Sequence, residues 1–115
     1  MSANTTITGK LTRDPDIRYT REGRAMTNLQ VGSINEDDAS KSFFDVVCWG
    51  ELAENVALSL CKGHHVVVTG ELAQRAWETD EGDLRFKVEL VASDVAASLR
   101  LATADVMKVE RSAVR

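Results

Sequence analysis

The stretch FFDVVCWGELAENVALSLCKGHHVVVTGEL, residues Phe43–Leu72, changes its hydrophobic period twice and so decides the fold. Its first seven residues are rich in aromatic and β-branched side chains and end at Gly50. Apolar residues then recur at helical spacing, at Leu52, Val56 and Leu60, before a β-branched run follows. This pattern predicts a strand, an amphipathic helix of about three turns and a second strand, in immediate succession.

The ends of the helix are also predicted. Glu51 and Glu54 lie where carboxylates favour the N-terminal end of a helix dipole. Lys62 and Gly63 follow the last apolar residue, which predicts a cationic last turn and a C-terminal glycine cap.

The rest of the chain is typical of further strands separated by turns. We predict a strand at 4–11, a short strand or coil around Ile17 and Tyr19, strands at 25–34, 43–49 and 64–77 (bent near Gly70), and a strand at 84–92. A polar loop is predicted at 35–42 and a hairpin turn at 79–83.

Strand alternation assigns side chains to two faces. In the strand that begins at Phe43, the core face is predicted to hold Phe44, Val46 and Cys48, and the opposite face Phe43, Asp45, Val47 and Trp49. In the last strand, the predicted core residues are Leu84, Phe86, Val88 and Leu90, with Arg85, Lys87 and Glu89 turned outwards.

The face that carries Phe43 and Trp49 is the candidate binding surface. A carboxylate between two large rings is costly in a core but tolerable on a surface that meets flat bases. Arg75 and Trp77 are two residues apart and therefore share a face. An aromatic ring beside a guanidinium suits single-stranded nucleic acid, because the ring stacks a base while the cation meets a phosphate.

Length and charge limit the alternatives. At 115 residues the chain is one packing unit, and no apolar run approaches the length of a membrane span. The net charge of −4 is unevenly distributed, at +2 over residues 1–30 and −5 over residues 31–60. A local basic region permits an anionic partner. Because the net charge is negative, we expect stacking to contribute more of the affinity than charge does.

Catalytic and metal sites are not expected. The sequence has no nucleophile motif and no phosphate-cradling glycine loop. His64 and His65 are adjacent on a predicted strand and should point to opposite faces, so neither a metal nor a cofactor is predicted. No secretory signal is evident, so Cys48 and Cys61 are expected to be thiols in the cytoplasm, with a bridge between subunits left open.

The predicted order is that of a five-stranded Greek-key barrel, the OB-fold, an all-β fold with one α-helix between the third and fourth strands. Three long segments carry a family resemblance: ITGKLTRDPDIRYTREGRAMTNLQV at 7–31, the stretch at 43–72 quoted above, and RAWETDEGDLRFKVELVASDV at 75–95. Together they resemble the bacterial single-stranded DNA-binding protein (SSB) family. The resemblance covers residues 5–101 and implies the same fold.

The resemblance implies sequence-independent binding and protection of single-stranded DNA during replication, repair or recombination. The implied stacking residues are Phe43, Trp49 and Trp77, and the implied basic contacts are Arg18, Arg75 and Lys62. The charge pattern adds Lys10, Arg85 and Lys87 as candidate DNA-binding residues. Asp45 and Glu51 stand where the family commonly has basic residues, which is expected to weaken phosphate contact.

The family resemblance further implies a homotetramer in the cytoplasm, associated with the nucleoid. We expect a DNA-binding domain at 1–101 and a short extension at 102–115. This extension lacks the acidic tip through which many family members recruit replication and repair enzymes, so such partners are not expected. The alternative is an OB-fold protein-interaction module with weak DNA affinity, which Asp45 and the acidic run at 36–38 would permit.

Overall fold

The computed structural model describes residues 3–32 and 42–110. Its elements are β1 (Asn4–Leu11), β2 (Asp16–Tyr19), β3 (Ala25–Gly32), β4 (Phe43–Trp49), α1 (Gly50–Ser59), β5 (His65–Glu78) and β6 (Leu84–Ala97). The predicted bounds of β1 and β4 are confirmed to the residue. Residues 33 and 34 of the predicted strand, and the predicted loop as far as residue 41, lie outside the described residues.

Five of the strands form a closed ring. The hydrogen-bonded order is β1-β5-β6-β4-β3, and β1 also pairs with β3 to close it. The short strand β2 pairs with β3 outside the ring, and α1 joins β4 to β5. The predicted OB-fold is therefore confirmed, with β2 as an added strand.

Glycine permits the closure of the ring. A Cβ at Gly9 would overlap the carbonyl oxygen of Gly32 on β3. Only a residue without a side chain lets β1 approach β3 this closely.

The core consists of the inward-facing residues of the ring, capped by α1. Ala53 and Val56 are the buried residues of the helix. The hydroxyl of Thr27, which is fully buried, donates to the carbonyl of Ala53 at 2.8 Å and so ties α1 to β3. The other buried members of the core are Leu11, Ala25, Leu29, Val31, Val46, Cys48, Val66, Val68 and Leu90.

The predicted C-terminal cap of the helix is wrong. The helix ends at Ser59 and has no basic residue in its last turn. Lys62 and Gly63 lie in the following turn, where the Lys62 N–H donates to Asp14 Oδ1 at 2.8 Å. The Gly63 N–H donates to the carbonyl of Leu11 at 2.8 Å, so this glycine serves the turn that returns the chain to the barrel.

The β5–β6 hairpin bends where the sequence predicts it. The register between the two strands shifts between Thr69 and Gly70. A Cβ at Gly70 would overlap the carbonyl oxygen of Val91, which explains the glycine at the bend. Beyond Gly70 the strands continue as a hairpin arm, residues 71–78 and 84–91.

The core assignment for this arm is wrong. Leu84, Phe86 and Val88 are each close to 60% exposed, and only Leu90 of the predicted set is buried. The arm extends past the end of the barrel, so this face is not covered by the described residues of the chain. Phe44 on β4, also predicted to be core, is 43% exposed. β6 is five residues longer than predicted because its end pairs with the start of β5.

His64 also differs from its prediction. It precedes β5, so strand alternation does not separate it from His65. Its Nδ1 accepts a hydrogen bond from the Cys61 N–H at 3.0 Å, and its Nε2 lies 3.6 Å from the Cys61 sulfur. Within residues 3–32 and 42–110, no three His, Cys, Asp or Glu side chains converge on a possible metal site. The helix in these ranges is too short to cross a bilayer.

The two thiols differ in their surroundings. Both cysteines are free; Cys48 is buried in the barrel and Cys61 is exposed. Burial raises the pKa of the Cys48 thiol from 9.0 to about 12, because the thiolate would be poorly solvated there.

We therefore expect a thiol reagent such as DTNB to label one cysteine of the native chain rapidly. Cys48 should react only after denaturation, because its thiol is inaccessible and stays protonated. Counting released thiolate before and after adding guanidinium chloride measures this. Cys61→Ser provides the control and should abolish the rapid phase, whereas rapid labelling of two thiols in the native protein would show that the barrel opens.

Candidate nucleic-acid interface

The outer face of β4, which carries Phe43, Asp45, Val47 and Trp49, is mostly accessible. Phe43 is 54% exposed, and Trp49 and Asp45 are half-buried. Val47 departs from the prediction, because it is only 5% exposed although it shares the face with the rings. The accessible chemistry of the strand is therefore two aromatic rings with a carboxylate between them.

Strand pairing extends this outer face across the sheet. On β3, Met26 is opposite Trp49, and Arg18 on β2 is opposite Met26 from the other side. On the hairpin arm, Arg75 is opposite Lys87, and Trp77 is opposite Arg85. Directly opposed residues of neighbouring strands lie on one face of a sheet, so these side chains flank each other.

Three of the predicted site residues meet in one groove. Trp49, Arg75 and Lys87 line a depression of roughly 370 Å³ between β3, β4 and the hairpin arm, which we call the stacking groove. The rest of its lining is Arg13, Asp16, Met26, Asn28, Leu29, Asp45, Val47 and Glu89.

Trp77 is an exposed ring on the hairpin arm. It is 43% exposed, and the guanidinium carbon of Arg75 lies 5.5 Å from its ring centroid. That distance is within the range of a cation–π contact. Arg75 thus joins Trp77 to the stacking groove.

Phe43 lines a neighbouring cavity of roughly 380 Å³ at the rim of the barrel. This cavity is mostly apolar, and Asp45 and Glu89 line both it and the stacking groove. Its other lining residues are Thr5, Ile7, Phe44, Leu72, Val88 and Leu90. The three predicted stacking rings are therefore distributed over two adjoining depressions and the arm.

Charges within the stacking groove cancel. Its lining contains three cations, Arg13, Arg75 and Lys87, and three carboxylates. The Lys87 ammonium lies 3.4 Å from a carboxylate oxygen of Asp45, and both side chains are about one-third exposed. An anionic partner would have to compete with Asp45 for Lys87.

The remaining predicted basic residues have different positions. Arg18 lies on the outer face and is exposed, but its guanidinium pairs with Asp16 at 3.1 Å. Arg85 lies opposite Trp77 on the hairpin arm. Lys10 near the end of β1 and Lys62 in the turn after α1 are exposed but do not line the stacking groove.

Sequence reasoning did not single out Arg24 as a site residue. Its guanidinium carbon lies 4.4 Å from the ring centroid of Trp49, closer than Arg75 is to Trp77. The available signal was the position of Arg24 two residues before Met26, the spacing at which strand residues share a face. Recognising it requires the pairing of Met26 with Trp49, which only the structure provides.

Known proteins resemble this chain over nearly its whole length. The model of the "Single-strand binding protein family" matches residues 3–98. Proteins named "Single-stranded DNA-binding protein" from Mycolicibacterium smegmatis and Mycobacterium leprae are each 43% identical over 123 residues. These matches cover 97% of this chain and 74% and 73% of the two relatives. A protein of the same name from Corynebacterium glutamicum is 39% identical, with 94% of this chain and 52% of that protein covered. The chain belongs to the single-strand binding protein family.

Proposed function

We propose that this protein binds single-stranded DNA without sequence preference and protects it during replication, repair or recombination. The observation that carries the proposal is the outer face of the barrel, where Trp49 shares a groove with Arg75 and Lys87 and Arg75 flanks Trp77. The relatives of the chain are named for single-stranded DNA binding. The proposed activity is binding, with no chemical step.

Stacking accounts for both the affinity and the lack of sequence preference. Every base has a flat π-face, so a ring that stacks one base stacks any other. Each stacked base contributes about 1–3 kcal/mol by alanine substitution. Phe43, Trp49 and Trp77 are the proposed stacking residues. Duplex DNA is disfavoured because its bases are already paired with each other and stacked on their neighbours, so they are not free to stack on a protein ring.

Phosphate contacts are proposed to come from Arg75 and Lys87 in the groove and from Arg18 and Arg85 on the same face. Lys10 and Lys62 are proposed as peripheral contacts, outside the groove. Since the charges that line the groove cancel, we expect a shallow salt dependence, with stacking as the main source of affinity.

We further propose that the protein is a homotetramer, with residues 1–101 as its DNA-binding domain and 102–115 as an extension. The exposed apolar side chains on one face of the hairpin arm and at the barrel rim support association. They are Phe44, Leu72, Leu84, Phe86 and Val88. Covering such a patch is favourable at about 25 cal/mol per Å² of apolar area. Light scattering should give the mass of four chains.

The test of the function is fluorescence anisotropy with labelled oligonucleotides of equal length. We expect oligo(dT) and a mixed-sequence strand to bind with similar affinity, and the matching duplex to bind far more weakly. No binding of either strand at micromolar protein would favour the alternative, an OB-fold protein-interaction module with weak DNA affinity.

Arg75→Ala should weaken binding to oligo(dT) and flatten its salt dependence. One neutralised phosphate contributes about −0.7 to the slope of log K against log salt on single strands. Titrations between low and moderate NaCl measure this slope. Arg100→Ala, an exposed arginine after β6, is the charge-matched control and should leave the slope unchanged. An unaltered slope in Arg75→Ala would remove Arg75 from the site.

A further inference from the structure

We propose that Arg24 is a DNA-binding residue that forms one wall of the base-stacking site at Trp49. The inference depends on the proposed function, because it assigns a further contact at the same surface. Arg24 would hold the Trp49 ring in place and at the same time present its charge to the phosphate of the stacked nucleotide.

The backbone of Arg24 is held by a tight turn. The Thr20 N–H donates to the carbonyl of Arg24 at 2.9 Å, and the Arg24 N–H donates to the Thr20 hydroxyl at 3.1 Å. Gly23, immediately before it, has a φ of +85°, a conformation that glycine adopts at little cost. The side chain of Arg24 therefore starts from a fixed point at the beginning of β3.

The position of Arg24 just before β3 then brings this side chain to Trp49. Met26 is directly opposite Trp49, and Arg24 lies two residues before Met26, immediately ahead of the first residue of β3. Diagonal neighbours across a strand pair are within reach of long side chains. The distance of 4.4 Å between the Arg24 guanidinium carbon and the ring centroid shows that the contact is made.

Among residues 3–32 and 42–110, ion pairs engage Arg18 and Lys87, and no carboxylate pairs with Arg24. A guanidinium that stacks on an aromatic ring keeps its in-plane N–H donors for another partner, and these match phosphate geometry. As far as the described residues go, Arg24 is thus a cation at a stacking ring that a phosphate can reach without displacing a carboxylate.

The test compares Arg24→Ala with Arg24→Lys and with Arg21→Ala, which removes a charge from the same turn. The Trp77→Phe background leaves Trp49 as the one tryptophan, so its emission reports on this site alone. Affinity for oligo(dT) is measured over a range of NaCl concentrations. Arg24 is exposed, and circular dichroism of each variant monitors the fold.

We expect Arg24→Ala to weaken binding by about 5- to 20-fold at low salt and to reduce the salt slope by about 0.7. Emission from Trp49 should shift even without DNA, because the ring loses its neighbour. Arg24→Lys should keep the slope but lose part of the affinity, since an ammonium lacks the planar fork. Arg21→Ala should change the affinity by less than about twofold, as is usual for an isolated exposed charge.

If oligo(dT) binds the unmodified protein, the proposed function stands, and either of two results would then overturn the role of Arg24. One is unchanged binding by Arg24→Ala, which would show that Arg24 does not contribute, or tighter binding, which would show that the guanidinium occupies the place of a base. The other is an equal loss in Arg21→Ala, which would show only a general charge effect. If the unmodified protein fails to bind oligo(dT), the proposed function itself is wrong and the role of Arg24 falls with it.

Discussion

Trp77→Ala is expected to weaken binding to single-stranded DNA by about 5- to 150-fold, the equivalent of one lost base stack of about 1–3 kcal/mol. The ring is 43% exposed on the hairpin arm and lies outside the buried core. Its removal should therefore leave the barrel folded. Because stacking does not distinguish bases, the loss should be similar on oligo(dT), oligo(dC) and mixed sequences.

Anisotropy titrations with these strands measure the loss. Tyr19→Ala is the matched control, because Tyr19 is also an exposed aromatic but lies on β2 opposite Ala25, whose side chain faces the core. The control should bind within about twofold of the unmodified protein, as expected for surface substitutions away from a site. A loss confined to particular sequences would mean that the protein recognises bases by hydrogen bonds.

Asp45→Asn should have the opposite effect and strengthen binding several-fold. Asp45 lies between the rings of β4 and pairs with Lys87 at 3.4 Å, so it competes with a phosphate for that ammonium. Removing its charge changes the groove from neutral to net positive. We expect a gain of about 1 kcal/mol, in the range of a partly exposed ion pair, and a salt slope steeper by about 0.7.

Glu54→Gln is the control for this variant, because it removes one negative charge from α1, outside the stacking groove. It should alter affinity far less than Asp45→Asn does. If the two variants bind alike, the gain reflects net charge and not the release of Lys87. If Asp45→Asn binds more weakly, Asp45 positions Lys87 for DNA instead of competing for it.

The local sequence pattern was sufficient to predict the bounds of a strand where that strand has one buried face. β1 and β4 end at the predicted residues because their patterns are terminated by a turn or a glycine. The bend at Gly70 was also predictable, since glycine inside a strand pattern indicates a bulge or a close approach. The helix after β4 followed from the helical spacing of its apolar residues, and the shared face of Arg75 and Trp77 followed from strand alternation. The closed ring was inferred from the order of the elements and the family resemblance.

The alternation of apolar and polar residues could not show which strand faces are covered by the rest of the protein. Alternation correctly placed Leu84, Phe86 and Val88 on one face, but whether that face is buried depends on how far the hairpin extends beyond the barrel. Val47 presents the converse case, because it lies on the outward face and yet is only 5% exposed.

Long-range pairing was equally out of reach of local pattern. The contact of Arg24 with Trp49 depends on the register between β3 and β4, and the Asp45–Lys87 ion pair depends on β6 lying beside β4. Both contacts determine how charge is distributed around the rings. The types of residue in the site were therefore predictable, but the electrostatic balance of the groove was not.

Tryptophan emission during titration with oligo(dT) tests the central claim most directly, because it reports on the rings themselves. If Trp49 and Trp77 stack on bases, saturation with oligo(dT) should quench their emission strongly. Trp77→Ala should then show both less quenching and weaker binding. Binding detected by anisotropy with unquenched tryptophans would contradict the account, since the DNA would then be held somewhere other than on the outer face of the barrel.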